Sequence, residues 1–244
     1  MKIGITGSRG FIGSHIAAFV RAKKGTRVFS FDLPQQNMLD AAQVAAFIKD
    51  KDVIIHAAAV NRGTDTEVIA GTVVSTFNLI EAMRRLKKKP KLIFLSSVQA
   101  ETDSLYGRAK LLAETMLQDY AQTHKAPIAV FRLANVFGEG CRPFYNSVIA
   151  TFCHQLARGE KLAVNPSDKK FNFVYVNDVA ALVVKEVGTR RAKPFYFKRV
   201  TSKDAFTVTE LATLLTRLAK LPSARGLKSK FEKDLFATYQ SYVQ

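Results

Sequence analysis

The chain has 244 residues, which suits one α/β domain with a small added lobe and is short for two full domains. Its 48% hydrophobic content excludes wholesale disorder, and it has no apolar run of about 18 residues, so we expect no membrane span. The formal net charge of +17, densest at 84–91, would attract nucleotides, nucleotide sugars, nucleic acid or an acidic membrane surface, although cations also suit helix C-termini. No nucleic-acid-binding motif accompanies this charge, so nucleic acid is not an expected partner.

Strands and helices alternate through the first half of the chain. The predicted strands are Lys2–Thr6, Arg27–Phe31, Val53–Ala58, Lys91–Ser96 and Ile128–Leu133. The predicted helices are Phe11–Lys23, Asp40–Lys49, Glu67–Leu86 and Tyr106–Thr123. Elements of these lengths predict an α/β fold: a Rossmann-type, doubly wound parallel sheet with helices on both faces.

The pattern changes after Asn135, where a loop rich in Gly, Pro and aromatic residues begins. Short strands are predicted around Lys161–Val164, Phe171–Val174 and Phe195–Lys198. Helices are predicted at Ser147–Arg158, Asn177–Glu186 and Val208–Lys220. We expect a Rossmann-type domain of residues 1–135 with parts of 171–200. Residues 136–244 would mainly form a small C-terminal substrate-binding lobe.

Two features indicate a cytoplasmic protein. Met1-Lys2 leads directly into a predicted strand, so we expect no signal peptide. Cys141 and Cys153 are too few for a disulfide framework, and neither has a local His or acidic partner, which indicates ordinary reduced thiols. We expect no metal site.

A glycine-rich turn, Thr6-Gly7-Ser8-Arg9-Gly10-Phe11-Ile12-Gly13, separates the first strand from the first helix. Gly7 can make the tight turn, Gly10 lets the backbone approach a pyrophosphate, and Gly13 allows close packing of helix on strand. The pyrophosphate would bind at the positive N-terminus of the helix. This placement between strand and helix predicts a dinucleotide cofactor, so residues 1–135 with parts of 171–200 would form a dinucleotide-binding domain.

Asp32 ends the second predicted strand. Its carboxylate can accept hydrogen bonds from the adenosine ribose and would repel a 2′-phosphate, or it can cap the following turn. Arg9 could instead bind a 2′-phosphate. We therefore favour NAD(H), with NADP(H) as the alternative. The expected cofactor-binding residues in this region are Gly7, Arg9, Gly10, Phe11, Ile12, Gly13, Asp32 and Leu33.

Tyr106 and Lys110 lie four residues apart at the start of a predicted helix, so their side chains share one face. We expect the lysine charge to lower the tyrosine pKa and favour proton exchange. Ser97 directly follows the fourth predicted strand and could hydrogen-bond a substrate oxygen. Together they suit a general acid/base with an orienting donor, although such a Tyr–Lys pair alone is often only a helix-surface contact.

Five segments of the chain resemble the extended short-chain dehydrogenase/reductases, the NAD-dependent epimerase/dehydratase family. They are TGSRGFIG (6–13), IIHAAAV (54–60), FLSSV (94–98), YGRAK (106–110) and FRLANVFG (131–138). The resemblance implies catalysis by Ser97, Tyr106 and Lys110. It also implies an NAD(P) site to which Tyr106, Lys110, His56, Ala57, Ala58 and Leu133 contribute.

A closer resemblance is to the reductase domains of bacterial capsular polysaccharide and O-antigen enzymes that make UDP-N-acetyl-6-deoxy-L-talose. It rests on VNRG (60–63), SSVQAETDSLYGRAK (96–110), YNSVIATFC (145–153) and FEKDLFATYQSYV (231–243). In those proteins a metal-binding cupin domain, which epimerises the sugar, follows the reductase domain. This sequence ends where that domain would begin, so it corresponds either to part of such a protein or to a stand-alone reductase.

The resemblance also suggests residues for the nucleotide sugar. Asn135 would contact the diphosphate, with Arg142 and Asn146 as further candidates; Asn146 could equally be a helix N-cap. Three departures from the family pattern stand out: Thr72 replaces an Asn, Phe171 replaces a diphosphate-binding Arg, and Asp32 lies where the closer relatives carry a basic residue.

The expected activity is NAD(P)H-dependent reduction of the C4 keto group of a UDP-4-keto-6-deoxy-N-acetylhexosamine by a homodimer. A 4,6-dehydratase is disfavoured because Val98 and Gln99 replace its Asp-Glu pair. The alternatives are a nucleotide-sugar 4-epimerase, which needs the same three catalytic residues, and a non-catalytic nucleotide-binding protein.

Overall fold

The computed structural model describes residues 1–87, 89–165 and 168–243. The chain divides into two compact units. The first comprises residues 1–133 and 180–200, and the second comprises 134–179 and 201–244. In the described part of the chain, no helix is long and apolar enough to cross a membrane.

The first unit is built on a six-stranded parallel sheet. Its strands are β1 (Lys2–Thr6), β2 (Arg27–Phe31), β3 (Val53–His56), β4 (Lys91–Ser97), β5 (Ile128–Leu133) and β8 (Phe195–Val200). Their order across the sheet is β2-β1-β3-β4-β5-β8, and every pairing is parallel. The predicted Rossmann-type fold class is therefore confirmed.

Helices connect these strands. They are α1 (Phe11–Ala22), α2 (Ala41–Ile48), α3 (Asp65–Ile69), α4 (Ser75–Arg84), α5 (Leu105–His124) and the end of α7 (Val176–Gly188). The middle residues of the central strands are mostly apolar because helices cover both faces of a parallel sheet. Ile3, Ile5, Ile54 and Ile55 are fully buried, and each buried side chain of this size contributes about 1.5–3 kcal/mol.

All six strands start along one edge of the sheet. Backbone hydrogen bonds join their first residues in a row: Arg27 N to Met1 O, Asp52 N to Lys2 O, and Lys91 N to Asp52 O. The row continues through Leu92 N to Pro127 O and Ile128 N to Pro194 O. The opposite edge therefore collects the carboxyl ends of all six strands, where parallel α/β sheets bind ligands.

The second unit contains a small sheet and helices. Its strands are β6 (Asn135–Phe137), β7 (Phe171–Tyr175) and β9 (Ala205–Phe206), in the order β6-β7-β9. Its helices are α6 (Val148–Ala157), α8 (Val208–Ala219), α9 (Lys230–Val243) and the start of α7. Phe137, Ile149, Phe152, Leu211 and Leu235 form the centre of its core.

The structure corrects several predicted elements. Residues 161–164 form no strand, and β6, β9 and α9 were not predicted. The predicted helix Glu67–Leu86 is divided into α3, a π-helical turn over Ala70–Val74, and α4. Two-residue strands such as β9 are too short for periodicity to reveal. Lys88, part of the dense basic run, lies outside the described residues.

Candidate active site

The glycine turn closes the carboxyl end of β1. Gly7 has φ +72°, and a Cβ there would lie 2.7 Å from the Ala58 amide nitrogen. A Cβ at Gly13 would lie 1.9 Å from the Gly7 carbonyl oxygen, so both positions require glycine. At Gly10 the nearest atom to such a Cβ is that same oxygen, at 3.3 Å. The fold itself therefore imposes two of the three glycines, and the third leaves the outer side of the turn open.

The N-terminus of α1 has no side-chain cap. Gly10 is its N-cap residue and offers no side chain, whereas Asp40, Ser104 and Ser147 cap the starts of α2, α5 and α6. The first-turn amides of a helix without such a cap are available to an external acceptor. Combined with the helix dipole and the bare backbone at Gly10, this end fits a pyrophosphate group. The partly buried Phe11 and Ile12 begin the same turn.

Asp32 is tied to the glycine turn. Its carboxylate accepts hydrogen bonds from the Ser8 hydroxyl at 2.6 Å and from the Arg9 amide at 3.0 Å. The Arg9 guanidinium extends to Gln35 Oε1, 3.1 Å away, and the Leu33 side chain beside Asp32 is exposed. A negative charge and a positive charge thus flank the carboxyl end of β2, where the adenosine ribose binds in Rossmann folds.

Ser97 is the last residue of β4 and the N-cap of a 3₁₀ turn, Val98–Glu101. Its hydroxyl oxygen accepts a hydrogen bond from the Gln99 amide at 3.2 Å, which leaves the hydroxyl proton free to be donated. Leu133, at the end of β5, pairs with Ser97 across the sheet and is buried. The end of β4 and the 3₁₀ turn that follows it therefore hold Ser97 at the carboxyl edge of the sheet.

Gly107 lets α5 pack against this turn. A Cβ on Gly107 would lie 2.1 Å from the Gln99 carbonyl oxygen and 2.8 Å from that of Thr102. Ser104 caps the helix by accepting a hydrogen bond from the Gly107 amide. Sequence reasoning missed Gly107, although its position between Tyr106 and Lys110 in YGRAK was a visible signal. Glycine is costly inside a helix, so close packing is a sufficient reason for it there.

Lys110 is the most deeply buried cation of the site, with 2% of its surface exposed. Its ammonium donates a hydrogen bond to the Leu95 carbonyl oxygen at 2.9 Å and lies 4.7 Å from the centre of the Phe94 ring. Burial lowers the pKa of Lys110 to about 7, although the nearby Glu114 carboxylate raises it. Lys110 is thus held against the backbone of β4, and its pKa lies near neutrality in the ligand-free protein.

The expected pKa shift of Tyr106 is wrong in direction. Burial raises the pKa of the Tyr106 phenol to about 12. Lys110 Nζ lies 5.9 Å from the centre of the tyrosine ring, and its own lowered pKa weakens the charge it offers. Desolvation of the phenolate therefore outweighs the lysine, and Tyr106 stays protonated at neutral pH.

His56 is the last residue of β3 and lies at the carboxyl edge of the sheet. Its Nδ1 shares a 2.7 Å hydrogen bond with the Thr6 hydroxyl, and its ring lies 5.6 Å from that of Phe94. Burial, and secondarily the charge of Lys110, lower the pKa of His56 to about 3, so the imidazole is neutral. Its Nε2 is buried and has no hydrogen-bond partner among the described residues. His56 thus supports the floor of the site, and Ala57 and Ala58 continue from it past Gly7.

Glu114 was also missed, although it continues the spacing of Tyr106 and Lys110 along α5. Its carboxylate accepts hydrogen bonds from the Arg132 guanidinium at 2.5–3.0 Å and from the Ser96 hydroxyl. Arg132 also pairs with Glu101 in the 3₁₀ turn. This buried network fixes α5 against β4 and β5, so the helix presents the tyrosine and lysine in one orientation.

The π-helical turn contains the Asn-to-Thr departure. Thr72 is fully buried, and its hydroxyl has no hydrogen-bond partner among the described residues. A Cβ on neighbouring Gly71 would lie 2.4 Å from Val60 Cγ2, so this turn packs tightly on the loop after β3. Local π-helical turns are frequent at functional sites.

The predicted sugar-binding residues lie in the second unit. Asn135 starts β6, and its amide donates a hydrogen bond to the Asn172 carbonyl oxygen at 3.1 Å. Arg142 is exposed, and its guanidinium lies 5.3 Å from the centre of the Tyr145 ring. Asn146 is exposed but is not the helix N-cap, because Ser147 caps α6 through the Ala150 amide.

Three comparisons relate the chain to known proteins. A model of the "NAD dependent epimerase/dehydratase family" matches residues 3–194. The chain is 32% identical to UDP-2-acetamido-2,6-beta-L-arabino-hexul-4-ose reductase of Pseudomonas aeruginosa, over 100% of this chain and 65% of that protein. It is 31% identical to the capsular polysaccharide assembling protein CapF of Staphylococcus aureus, with a TM-score of 0.80, over 100% of this chain and 65% of that one.

A third similarity concerns the fold alone. UDP-glucuronic acid 4-epimerase of Bacillus cereus, solved in complex with NAD, is 18% identical with a TM-score of 0.87 and covers 100% of this chain. This chain spans 65% of the length of the reductase and of CapF.

Proposed function

Because the chain belongs to the NAD dependent epimerase/dehydratase family, we propose that it reduces the C4 keto group of a UDP-4-keto-6-deoxy-N-acetylhexosamine in surface polysaccharide biosynthesis. One observation carries the proposal. A protonated, partly buried Tyr106 and a buried Lys110 share one face of α5, which packs through Gly107 on the turn that Ser97 caps. The similarity to a hexul-4-ose reductase supplies the substrate class.

Ser97, Tyr106 and Lys110 have different roles in the proposed reaction. When bound, reduced nicotinamide supplies a hydride to the C4 carbonyl carbon. The Ser97 hydroxyl donates a hydrogen bond to the carbonyl oxygen, and Tyr106 gives its proton to the same oxygen as negative charge develops there. A raised pKa keeps Tyr106 in the acid form that this step requires. Lys110 holds the nicotinamide ribose and, when charged, stabilises the tyrosinate that remains.

The cofactor of this reaction is NADH rather than NADPH. The Asp32 carboxylate, fixed by Ser8 and the Arg9 amide, repels a 2′-phosphate. Arg9 offers a counter-charge, but it is exposed and must lose rotamer freedom to bind. An exposed ion pair contributes no more than about 1 kcal/mol. Titration of both cofactors at one ionic strength tests this preference: tighter NADPH binding that weakens in Arg9→Ala would contradict it.

A homodimer is the proposed assembly. The π-helical turn and the two helices around it expose Ile69, Val74 and Phe77, and α5 exposes Leu111 and Leu112. The two helical segments pack against each other, so their exposed apolar side chains can form one surface for a second copy. Sedimentation equilibrium would give the mass of two chains, and Phe77→Glu with Leu112→Glu would give the mass of one. We place this assembly in the cytoplasm, where NADH and nucleotide sugars are made.

A cofactor-oxidation assay against UDP- and dTDP-4-keto sugars tests the proposed function. A reductase consumes one NADH for each sugar reduced. A 4-epimerase, which needs the same three residues, would interconvert 4-hydroxy sugars on retained NAD without net NADH consumption. A non-catalytic nucleotide-binding protein would bind NADH and turn over neither substrate.

A further inference from the structure

The amino edge of the six-stranded sheet is strongly basic. Five segments enter it: 21–27, 49–52, the described residues of 84–91 (84–87 and 89–91), 125–127 and 185–193, here called the basic edge. Together these described residues contain 16 Lys or Arg and three Asp or Glu, an excess of 13 positive charges out of the formal net charge of +17. The remaining residues are therefore almost neutral, although they make up most of the chain.

The segments lie side by side. The row of hydrogen bonds that joins the six strand starts brings each segment next to its neighbour in the sheet. At about 4.8 Å between strands, the row is about 24 Å wide. Because this is the edge opposite the glycine turn and Ser97, a partner bound here leaves the proposed catalytic edge uncovered.

The acidic groups of the basic edge are already paired. Asp50 pairs with Lys2 and Lys51, and Glu186 pairs with Lys91 and Arg191. The third acid, Asp52, accepts a hydrogen bond from the Lys2 amide. Eleven exposed cations, by contrast, form no ion pair within the part of the chain that the structure describes: Arg21, Lys23, Lys24, Arg27, Lys49, Arg85, Lys87, Lys125, Lys185, Arg190 and Lys193.

Helix capping does not account for these exposed cations. The Lys89 ammonium donates hydrogen bonds to the carbonyl oxygens of Met83 and Leu86 at the end of α4. The Lys91 ammonium does the same for Glu186 and Thr189 at the end of α7. Two partly buried lysines thus satisfy the helix ends, where added cations contribute only about 0.3–1 kcal/mol each.

We propose that the basic edge binds the surface of an anionic lipid bilayer. In the described part of the chain five helices end at this edge, so it presents backbone carbonyls rather than a cradle of amides that would hold one phosphate. Its charges lie on flexible side chains along a row of short connections, which suits a diffuse layer of lipid headgroups. The five segments contain no Phe, Tyr or Trp, the residues on which nucleic-acid bases stack.

Vesicle binding tests the proposal. The full chain is mixed with vesicles of phosphatidylcholine containing about 30% phosphatidylglycerol, and with phosphatidylcholine alone, over a range of salt concentrations. The edge variant replaces four exposed lysines by glutamine: Lys23, Lys24, Lys87 and Lys193. A matched control removes the same charge from exposed lysines elsewhere: Lys203, Lys220, Lys228 and Lys233. NADH binding and thermal unfolding should be unchanged in both variants.

The wild-type protein should bind the anionic vesicles and dissociate from them as salt is added. It should not bind vesicles of pure phosphatidylcholine. The edge variant should lose about a hundredfold in vesicle affinity, and the control less than about threefold. Equal losses in the two variants would assign the binding to net charge and overturn the proposal. Absence of binding would also overturn it, as would tighter binding to a short DNA duplex than to vesicles at the same ionic strength.

Discussion

Two residues of the proposed catalytic site, Tyr106 and Lys110, have strongly shifted pKa values. Burial moves the pKa values of Tyr106 and Lys110 apart, from their ordinary values of 10.0 and 10.5 to about 12 and about 7. The phenol therefore holds its proton at neutral pH, while the lysine can exchange one. This order is the reverse of what a charged lysine beside a tyrosine would produce, and it follows from desolvation alone.

Removal of the phenol should abolish most turnover. Tyr106→Phe should lose about 10²–10⁴ in kcat, the usual effect of losing a general acid. NADH affinity should change little, because in the proposed mechanism the hydroxyl acts on the substrate. Steady-state kinetics and calorimetry on the same preparation measure both quantities. Wild-type turnover in the variant would remove Tyr106 from the mechanism.

Lys110 makes stability depend on pH. Its folded pKa of about 7 lies below its ordinary value of 10.5, so between these values the unfolded chain binds the extra proton. The free energy of unfolding of the wild type should therefore rise with pH across this window. Lys110→Met cannot titrate, so its stability advantage over the wild type should shrink from pH 7 to pH 10. Denaturant unfolding of both proteins measures this difference, and a difference independent of pH would refute the burial of the charge.

At the level of elements, one contact sets the position of α5. A Cβ at Gly107 would overlap the carbonyl oxygens of Gln99 and Thr102, so Gly107→Ala must push the helix from the 3₁₀ turn. We expect a loss of at least about tenfold in kcat and of about 1–3 kcal/mol in stability. Gly188→Ala is the matched control, because only the flexible Lys23 ammonium lies near its added Cβ, at 3.3 Å. Equal effects of the two substitutions would show that the Gly107 contact is not special.

The sequence predicts most of the first unit and less of the second. β1, β2 and β5 have the predicted bounds. β1 and β5 are buried strands, which in a parallel sheet are mostly apolar runs between turn signals. α9 and the π-helical turn were missed, since both depend on tertiary packing rather than on local pattern. The same limit applies to the site. The glycines and the Tyr–Lys pair are visible as spacing, whereas Glu114 and Gly107 gain meaning only from the atoms they meet.

At the scale of the whole chain, the parallel sheet gives its two edges different properties. The carboxyl edge collects the glycine turn, Asp32 and Ser97, together with the helix that carries Tyr106. The amino edge collects most of the excess positive charge. A parallel sheet produces this separation directly, because every helix-to-strand connection lies at one edge and every strand-to-helix connection at the other. Substitutions on the basic edge should therefore change bilayer binding and leave kcat unchanged.

Transfer of an isotope label tests the central claim most directly. NADH carrying deuterium at both C4 positions of the nicotinamide is incubated with a UDP-4-keto-6-deoxy-N-acetylhexosamine, and the product is analysed by NMR and mass spectrometry. A reductase should place one deuterium at C4 of the sugar for each NADH oxidised, and Tyr106→Phe should slow this transfer without redirecting it. A product without deuterium, or NADH left unoxidised by a protein that binds it, would contradict the account.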